Sequence, residues 1–390
     1  MIIPLWGKEM VVMRKIFLLA ALVVPLALIG CSDSSDDGVS TNYTGTASKA
    51  SLSTGSNAQD LGAATVTGMT LAQDPFDYEF MPGFLYYLDD YVFDRGKKLN
   101  TISESASISV SGGCGGTAEG SMSMKSMWDD ETKEYGDYLT LTITFTDYSD
   151  WGDCYEYMLP STSGAIVNGT YSVYHKINED MSSFTGSRKY VLNNMTFFYP
   201  EDWGYPTRVA PAPYPISMTH SDTGDLINYS GMIYANANGE NESSYFVKST
   251  IDLSYSEKII VAGETPDTLE TQDIYSVLWA GLTLTEDYPA YEGLKVSGKV
   301  CVDGVGCATV GNNEFEGSIY DLDYTYYYQP WEGSVILSGE GMDMLEVALT
   351  SGDEVSCPFE LYYSDDAGTT WSYVDIFYGY PVDLEWEYCE

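Results

Sequence analysis

The sequence predicts an all-β protein, built as an antiparallel sandwich or a long β-meander, in one or two β regions behind a flexible N-terminal tether. Three observations carry that expectation. Leu139-Thr140-Leu141-Thr142-Ile143-Thr144-Phe145-Thr146 alternates apolar and hydroxyl side chains without a break, the period-two pattern of a strand with one buried face. The chain of 390 residues holds 34 Tyr and 37 Gly, a bias toward residues that suit pleated surfaces and tight turns. Apolar residues at helical spacing are nearly absent, and one short helix is expected, within Pro82–Arg95.

Taken in order, residues 31–60 are rich in Ser, Thr, Gly and Asp and read as the tether. Strands are expected at Ser107–Val110, Leu139–Thr146, Ile166–Tyr174 and Lys189–Phe198. Prolines 206, 211, 213 and 215 mark a loop or sheet edge, because proline cannot donate to a strand ladder. Met232–Ala237 and Tyr245–Tyr255 flank Asn238-Gly239, a hairpin signal, with Ile251, Leu253 and Tyr255 on one face. Later strands are expected at Ile274–Thr285, Leu294–Val302, Phe315–Leu322 and Ser334–Leu337. Leu345–Thr350, Phe359–Tyr363 and Ser372–Phe377 complete the set. The polar stretch Gly263–Thr271 divides the chain into expected β regions 61–265 and 266–390, although it also fits a loop within one continuous sheet.

Residues 13–31 run from a basic start, Met13-Arg14-Lys15, through an apolar run from Ile16 to Ile29, to Gly30-Cys31. This has the form of a secretory signal occupying residues 1–30, with Met13 at the head of its basic region. Leu28-Ile29-Gly30-Cys31 resembles the lipobox of bacterial lipoproteins, in which the cysteine is lipidated and becomes the first mature residue. The resemblance implies a lipid anchor on Cys31. Ser32 stands where the inner-membrane retention signal carries Asp, so an outer-membrane address, facing the periplasm or the cell surface, is expected.

Six other cysteines remain: Cys114, Cys154, Cys301, Cys307, Cys357 and Cys389. An even set in an exported chain points to disulfides, and six cysteines allow fifteen pairings. Cys301 and Cys307 are the best supported pair, because Asp303-Gly304 between them is a hairpin-turn signal.

Charge excludes partners. The chain carries 58 Asp+Glu against 17 Lys+Arg, net −41, with four arginines. It cannot neutralise a run of phosphates, so nucleic acid and docking on anionic lipid through a basic patch are excluded as partners. Loss of residues 1–30 removes Lys8, Glu9, Arg14 and Lys15, leaving 14 basic and 57 acidic residues, net −43. Residues 300–390 hold 19 carboxylates and no Lys, Arg or His. Self-repulsion there must be offset by hydration, salt, raised carboxyl pKa values or divalent cations. Calcium fits hard oxygen ligands, with Asp321/Asp323 and Asp365/Asp366 as candidate ligands beside Asp353/Glu354.

Ser364-Asp365-Asp366-Ala367-Gly368-Thr369-Thr370-Trp371 matches Ser-x-Asp-x-Gly-x-Thr-Trp and resembles the Asp-box of sialidases and other β-proteins. The resemblance implies a structural hairpin turn: Asp366 bonding turn amides, Gly368 in a conformation closed to other residues, and Trp371 packed beneath. The early arginine motif of sialidases is missing, and so are Gly-x-Ser-x-Gly, His-Glu-x-x-His, P-loop and dinucleotide patterns. The chain as a whole resembles β-rich bacterial lipoproteins with no assigned activity. The sequence therefore points to a non-enzymatic structural or binding module on the outer membrane. The alternative is a glycan-binding or carboxylate-dependent glycan-hydrolysing protein, using Tyr324, Tyr326, Tyr327, Tyr328 and Trp331, or Trp371, Tyr373, Phe377, Tyr378 and Tyr380.

Overall fold

The computed structural model describes residues 40–53, 55–73, 101–112, 115–129, 134–149, 165–179, 183–200, 223–241, 244–263, 269–288, 294–316, 332–349 and 359–377. Fourteen antiparallel strands follow one another in sequence order across a single sheet. The first seven are β1 (Thr101–Ser111), β2 (Gly115–Asp129), β3 (Glu134–Ser149), β4 (Ile166–Glu179), β5 (Phe184–Pro200), β6 (Gly224–Asn241) and β7 (Ser244–Ala262). The others are β8 (Leu269–Tyr288), β9 (Leu294–Val302), β10 (Gly306–Glu316), β11 (Glu332–Ser338), β12 (Met344–Leu349), β13 (Phe359–Ser364) and β14 (Ser372–Phe377). The meander is thus the all-β arrangement adopted, and among the described residues β1 and β14 are its two ends.

The alternation in Leu139–Thr146 becomes an inner and an outer face. Leu139, Leu141, Ile143 and Phe145 are buried, while Thr140 and Thr144 are exposed. Because partners in register share a face, the inner face continues from strand to strand through Leu141, Val173, Tyr190, Ile233, Ile251 and Leu282. The polar Gly263–Thr271 stretch includes the β7–β8 connection. Those two strands pair from Ala262↔Leu269 to Tyr245↔Tyr288, and buried residues from both sides of it join one core cluster. Within the described residues the expected boundary is therefore a loop in one continuous sheet.

A helix that the sequence pattern did not reveal fills the interior. The α1 helix (Gly55–Gln73) is buried without interruption from Leu61 to Met69. A helix apolar on every side presents no stripe at 3.6-residue spacing, which is why periodicity missed it. It contacts β7, β8 and β9 and also β12, β13 and β14. Strands β8 and β13 lie about 24 Å apart along a sheet. That exceeds the diameter of a helix, about 10–12 Å, so the sheet curls around α1. Small residues allow the approach: a Cβ on Gly62 would lie 2.9 Å from Leu361, and one on Gly68 2.4 Å from the Trp279 ring. The Trp279 Nε1–H donates to the Ala64 carbonyl at 2.7 Å, satisfying the one polar atom of a fully buried side chain. Among the described residues no helix is long and apolar enough to cross a membrane. The helix expected within Pro82–Arg95 lies outside the described residues.

The tether expected over residues 31–60 is shorter than that. Residues 40–53 form a strap against the sheet, with Ala50 and Leu52 buried, and α1 begins at Gly55. The Ser230 Oγ donates to the Ser40 carbonyl at 3.0 Å. Lys49 bridges Cys307 in parallel, the Cys307 amide donates to the Ser48 carbonyl, and the Ala50 amide returns to the Cys307 carbonyl. The Glu340 amide in the β11–β12 turn donates to the Ala50 carbonyl at 2.7 Å. Backbone bonds of this kind need no large apolar side chains, so composition gave no sign of them.

Replacing glycine by alanine inside a helix ordinarily gains about 1 kcal/mol. At Gly68 the clash with Trp279 outweighs that gain, and Gly68→Ala is expected to destabilise by about 1–3 kcal/mol. Gly55→Ala, with nothing within 4 Å of its Cβ, is expected to be neutral or slightly stabilising. Thermal melts of the two variants check this, and equal effects would contradict the buried placement of α1.

Candidate functional site

Three polar constellations stand out. The first is the β13–β14 turn. The Asp366 Oδ1 accepts from the Ser364 Oγ and from the Thr370 amide, both at 2.8 Å, and its Oδ2 accepts from the Thr370 Oγ1 at 2.8 Å. The Ser364 Oγ also accepts from the Gly368 amide at 2.9 Å. Gly368 has φ 80°, and a Cβ there would lie 3.2 Å from the ring of Trp371, which packs under it. These donors, first among them the Thr370 amide, hold the Asp366 carboxyl below its ordinary pKa. Both oxygens of Asp366 thus serve the turn. Asp365 is exposed, Asp321 and Asp323 lie outside the described residues, and among the described residues no group of three His, Cys, Asp or Glu could hold a metal.

Carboxylates elsewhere in the acidic region are likewise met by neutral donors. Asp343 accepts from the Tyr363 hydroxyl at 3.0 Å and from the Leu52 amide at 3.3 Å, and Glu360 accepts from the Tyr362 hydroxyl at 2.5 Å. Asp303, in the β9–β10 turn, accepts from both the amide and the hydroxyl of Thr46, which lower its pKa. Tyr363 is pushed up to about 12, by burial and then by its bond to Asp343. In that same β9–β10 hairpin, Cys301 and Cys307 stand opposite one another in register and form a disulfide. Cys31, Cys114, Cys154, Cys357 and Cys389 lie outside the described residues, as do the Tyr324–Trp331 aromatics and Tyr378 and Tyr380. Tyr373 is exposed and meets Tyr362 edge-on at 5.8 Å.

The second constellation is inside. Asp137 on β3, His175 on β4 and Arg188 on β5 are all buried on the inner face. Register places His175 directly opposite both Leu139 and Arg188, and Asp137 on the diagonal. The Arg188 Nε–H donates to the His175 Nδ1 at 2.9 Å, so the neutral imidazole carries its proton on Nε2. The Arg188 Nη1 reaches the Tyr190 hydroxyl at 3.3 Å. Burial, then the Arg188 charge, pushes His175 well below the ordinary imidazole pKa. Burial pushes Asp137 up to about 6 against the opposing pull of Arg188 and of the Tyr138 amide, and its Oδ1 has no hydrogen-bond partner. Among the described residues this places a buried cationic side chain, Arg188, beside a buried carboxyl.

The third constellation lies on the outer face. A single cross-strand row runs Lys125↔Tyr138↔Lys176 on β2, β3 and β4. It continues through Ser187 and Asn236 to Lys248 on β7, then through Thr285 to Lys295 on β9. The Lys125 and Lys176 ammonium groups lie 5.9 and 5.7 Å from the centre of the Tyr138 ring. In the neighbouring row Lys189 stands between Tyr174 and Tyr234. These lysines are far apart in the chain, and only strand register brings them into line, so no sequence spacing announced them.

Comparison with known proteins gives no match: no family model fits the chain, and no curated protein or solved structure is similar to it.

The interior cluster sets a pH dependence. A carboxyl whose pKa is raised on folding binds its proton more tightly in the folded chain, so its contribution to stability falls as pH rises from about 4 toward 6. Across that range the cost of the ionised carboxyl grows to about 3 kcal/mol. Asp137→Asn, which mimics the protonated form, is expected to raise the melting temperature over wild type at pH 8 and to leave it nearly unchanged at pH 4. A variant that melts lower than wild type at pH 8 would contradict the cost assigned to the ionised carboxyl.

Proposed function

We propose that the chain is an exported lipoprotein, held at the outer membrane by lipid on Cys31, whose β body acts there without catalysis as a rigid structural or binding module. The polarity of the sheet carries this reading. Its apolar residues join one buried cluster with α1 and its outer face presents Thr140, Thr144, Lys125, Lys176 and Lys248 to solvent. A membrane-spanning barrel needs the opposite arrangement, and lysine on a lipid-facing surface costs about 2–4 kcal/mol at the bilayer midplane. Attachment therefore falls to the chain ahead of the body. Eight residues, 32–39, lie between Cys31 and Ser40, where the strap begins, and the nine steps reach about 30 Å at full extension. The sheet would then sit close to the membrane surface with its outer face free. With the interior occupied by α1, ligands have the outer face to meet, and its row of lysines and hydroxyl residues favours glycan binding as the second reading.

Labelled fatty acid fed to expressing cells is expected to appear on the wild-type protein, which partitions into detergent on phase separation. Cys31→Ala is expected to lose the label and move to the aqueous phase. Wild-type protein without label, or label retained by the variant, would refute the anchor.

A further inference from the structure

We propose that the lysine row on the outer face of β2–β9 is a binding track for an acidic polysaccharide whose carboxylates are spaced by neutral sugar. The inference rests on the glycan reading above and adds the place and the ligand chemistry to it.

The row holds Lys125, Lys176, Lys248 and Lys295, four of the fourteen cationic residues that follow Cys31 in a chain of net charge −41. The first three are exposed and Lys295 is half-buried. Chance scatter over a strongly acidic surface does not favour such a line, and neighbours in the row carry no carboxylate until Glu314 on β10, opposite Lys295. Spacing identifies the ligand. The lysines stand on the second, fourth, seventh and ninth strands, so successive charges are separated by two, three and two strands, about 10, 14 and 10 Å along the sheet. Duplex DNA presents a charge about every 1.7 Å, far too dense for this comb, which accords with the exclusion of nucleic acid. A polysaccharide with a uronic acid at every second sugar covers about the reach of two strands between carboxylates, which meets the Lys125–Lys176 and Lys248–Lys295 intervals and leaves the wider Lys176–Lys248 gap to the hydroxyl and amide groups of Ser187 and Asn236.

What lies between the lysines also suits a sugar. Tyr138, Ser187, Asn236 and Thr285 occupy the intervening positions and supply hydroxyl and amide groups, with aromatic faces of Tyr174 and Tyr234 in the next row. Tyr234 is already oriented by its hydroxyl bond to Asn236 at 2.7 Å. At physiological salt exposed charges are screened beyond about 8 Å, so the acidity that weighs on the track is confined to positions such as Glu314 opposite Lys295 and Asp287 diagonal to Lys248.

The test is affinity electrophoresis of the purified full chain in gels containing hyaluronan, with a carboxylate on alternate sugars, or neutral dextran. Wild type is expected to be retarded by hyaluronan, with retardation fading as salt rises, and not by dextran. The combined variant Lys125→Gln, Lys176→Gln, Lys248→Gln is expected to bind hyaluronan at least tenfold more weakly while melting at the wild-type temperature, since its side chains are exposed. Hyaluronan binding equal in wild type and variant, or dextran bound as tightly as hyaluronan, overturns the track and leaves the glycan reading standing. Retardation by neither polymer overturns both.

Discussion

The fold depends on the burial of α1 inside its own sheet. Strands of this length with one apolar face must cover that face, and sheets do so against another sheet or a helix. Here a single helix serves β7, β8 and β9 on one side and β12, β13 and β14 on the other, which it can do because the sheet bends around it. The price is that the helix from Leu61 to Met69 has no solvent face: the Ala64 carbonyl is met by Trp279 and the Thr65 hydroxyl by the Leu61 carbonyl, while the Thr67 hydroxyl has no partner. The glycines that look like helix weaknesses, Gly62 and Gly68, are where β13 and β8 come closest. The strap over residues 40–53 follows from the same arrangement, since a chain that enters the interior has to cross the end of the sheet, and it is pinned there by backbone bonds to Cys307 and Glu340.

Charge is partitioned by the two faces. The inner face admits a small polar cluster, Asp137, His175 and Arg188, in which one carboxyl is held partly against its solvation preference. The outer face gathers lysines on β2–β9, while the carboxylates of the C-terminal strands and turns take tyrosine hydroxyls, threonine and backbone amides as donors. Among the described residues of the acidic region, Asp303, Asp343, Glu360 and Asp366 are accommodated in this way by neutral hydrogen bonds, and the abundance of tyrosine acquires a reason beyond strand propensity: Tyr362 and Tyr363 are donors to Glu360 and Asp343 as well as packing surfaces.

What could be read from the sequence was what is local. Period-two alternation in Leu139–Thr146 located β3 and its buried face, and Asp303-Gly304 brought Cys301 to Cys307, whereas Asn238-Gly239, expected as the turn of the β6–β7 hairpin, lies within β6 and pairs with Phe246 and Tyr245. β2 was missed altogether and the length of β6 underestimated, because their Ser, Gly and Asn residues carry no apolar signal while still completing the ladder. Everything that depends on register was out of reach. Lys125, Lys176 and Lys248 share a row only because the five successive strand pairings from β2 to β7 fix the offsets between their strands. His175 and Arg188 read as scattered polar residues until pairing set them face to face. The helix was hidden for the opposite reason, being apolar all round rather than amphipathic.

Hydrogen exchange of the α1 amides addresses the central claim, that this helix is the interior of the sheet. Peptides covering residues 61–72 are predicted to exchange only through global unfolding, with the protection of the β3 and β4 amides that flank Leu141 and Val173. Exchange of 61–72 within seconds, while β3 and β4 stay protected, would show a helix lying outside the sheet and would contradict the account.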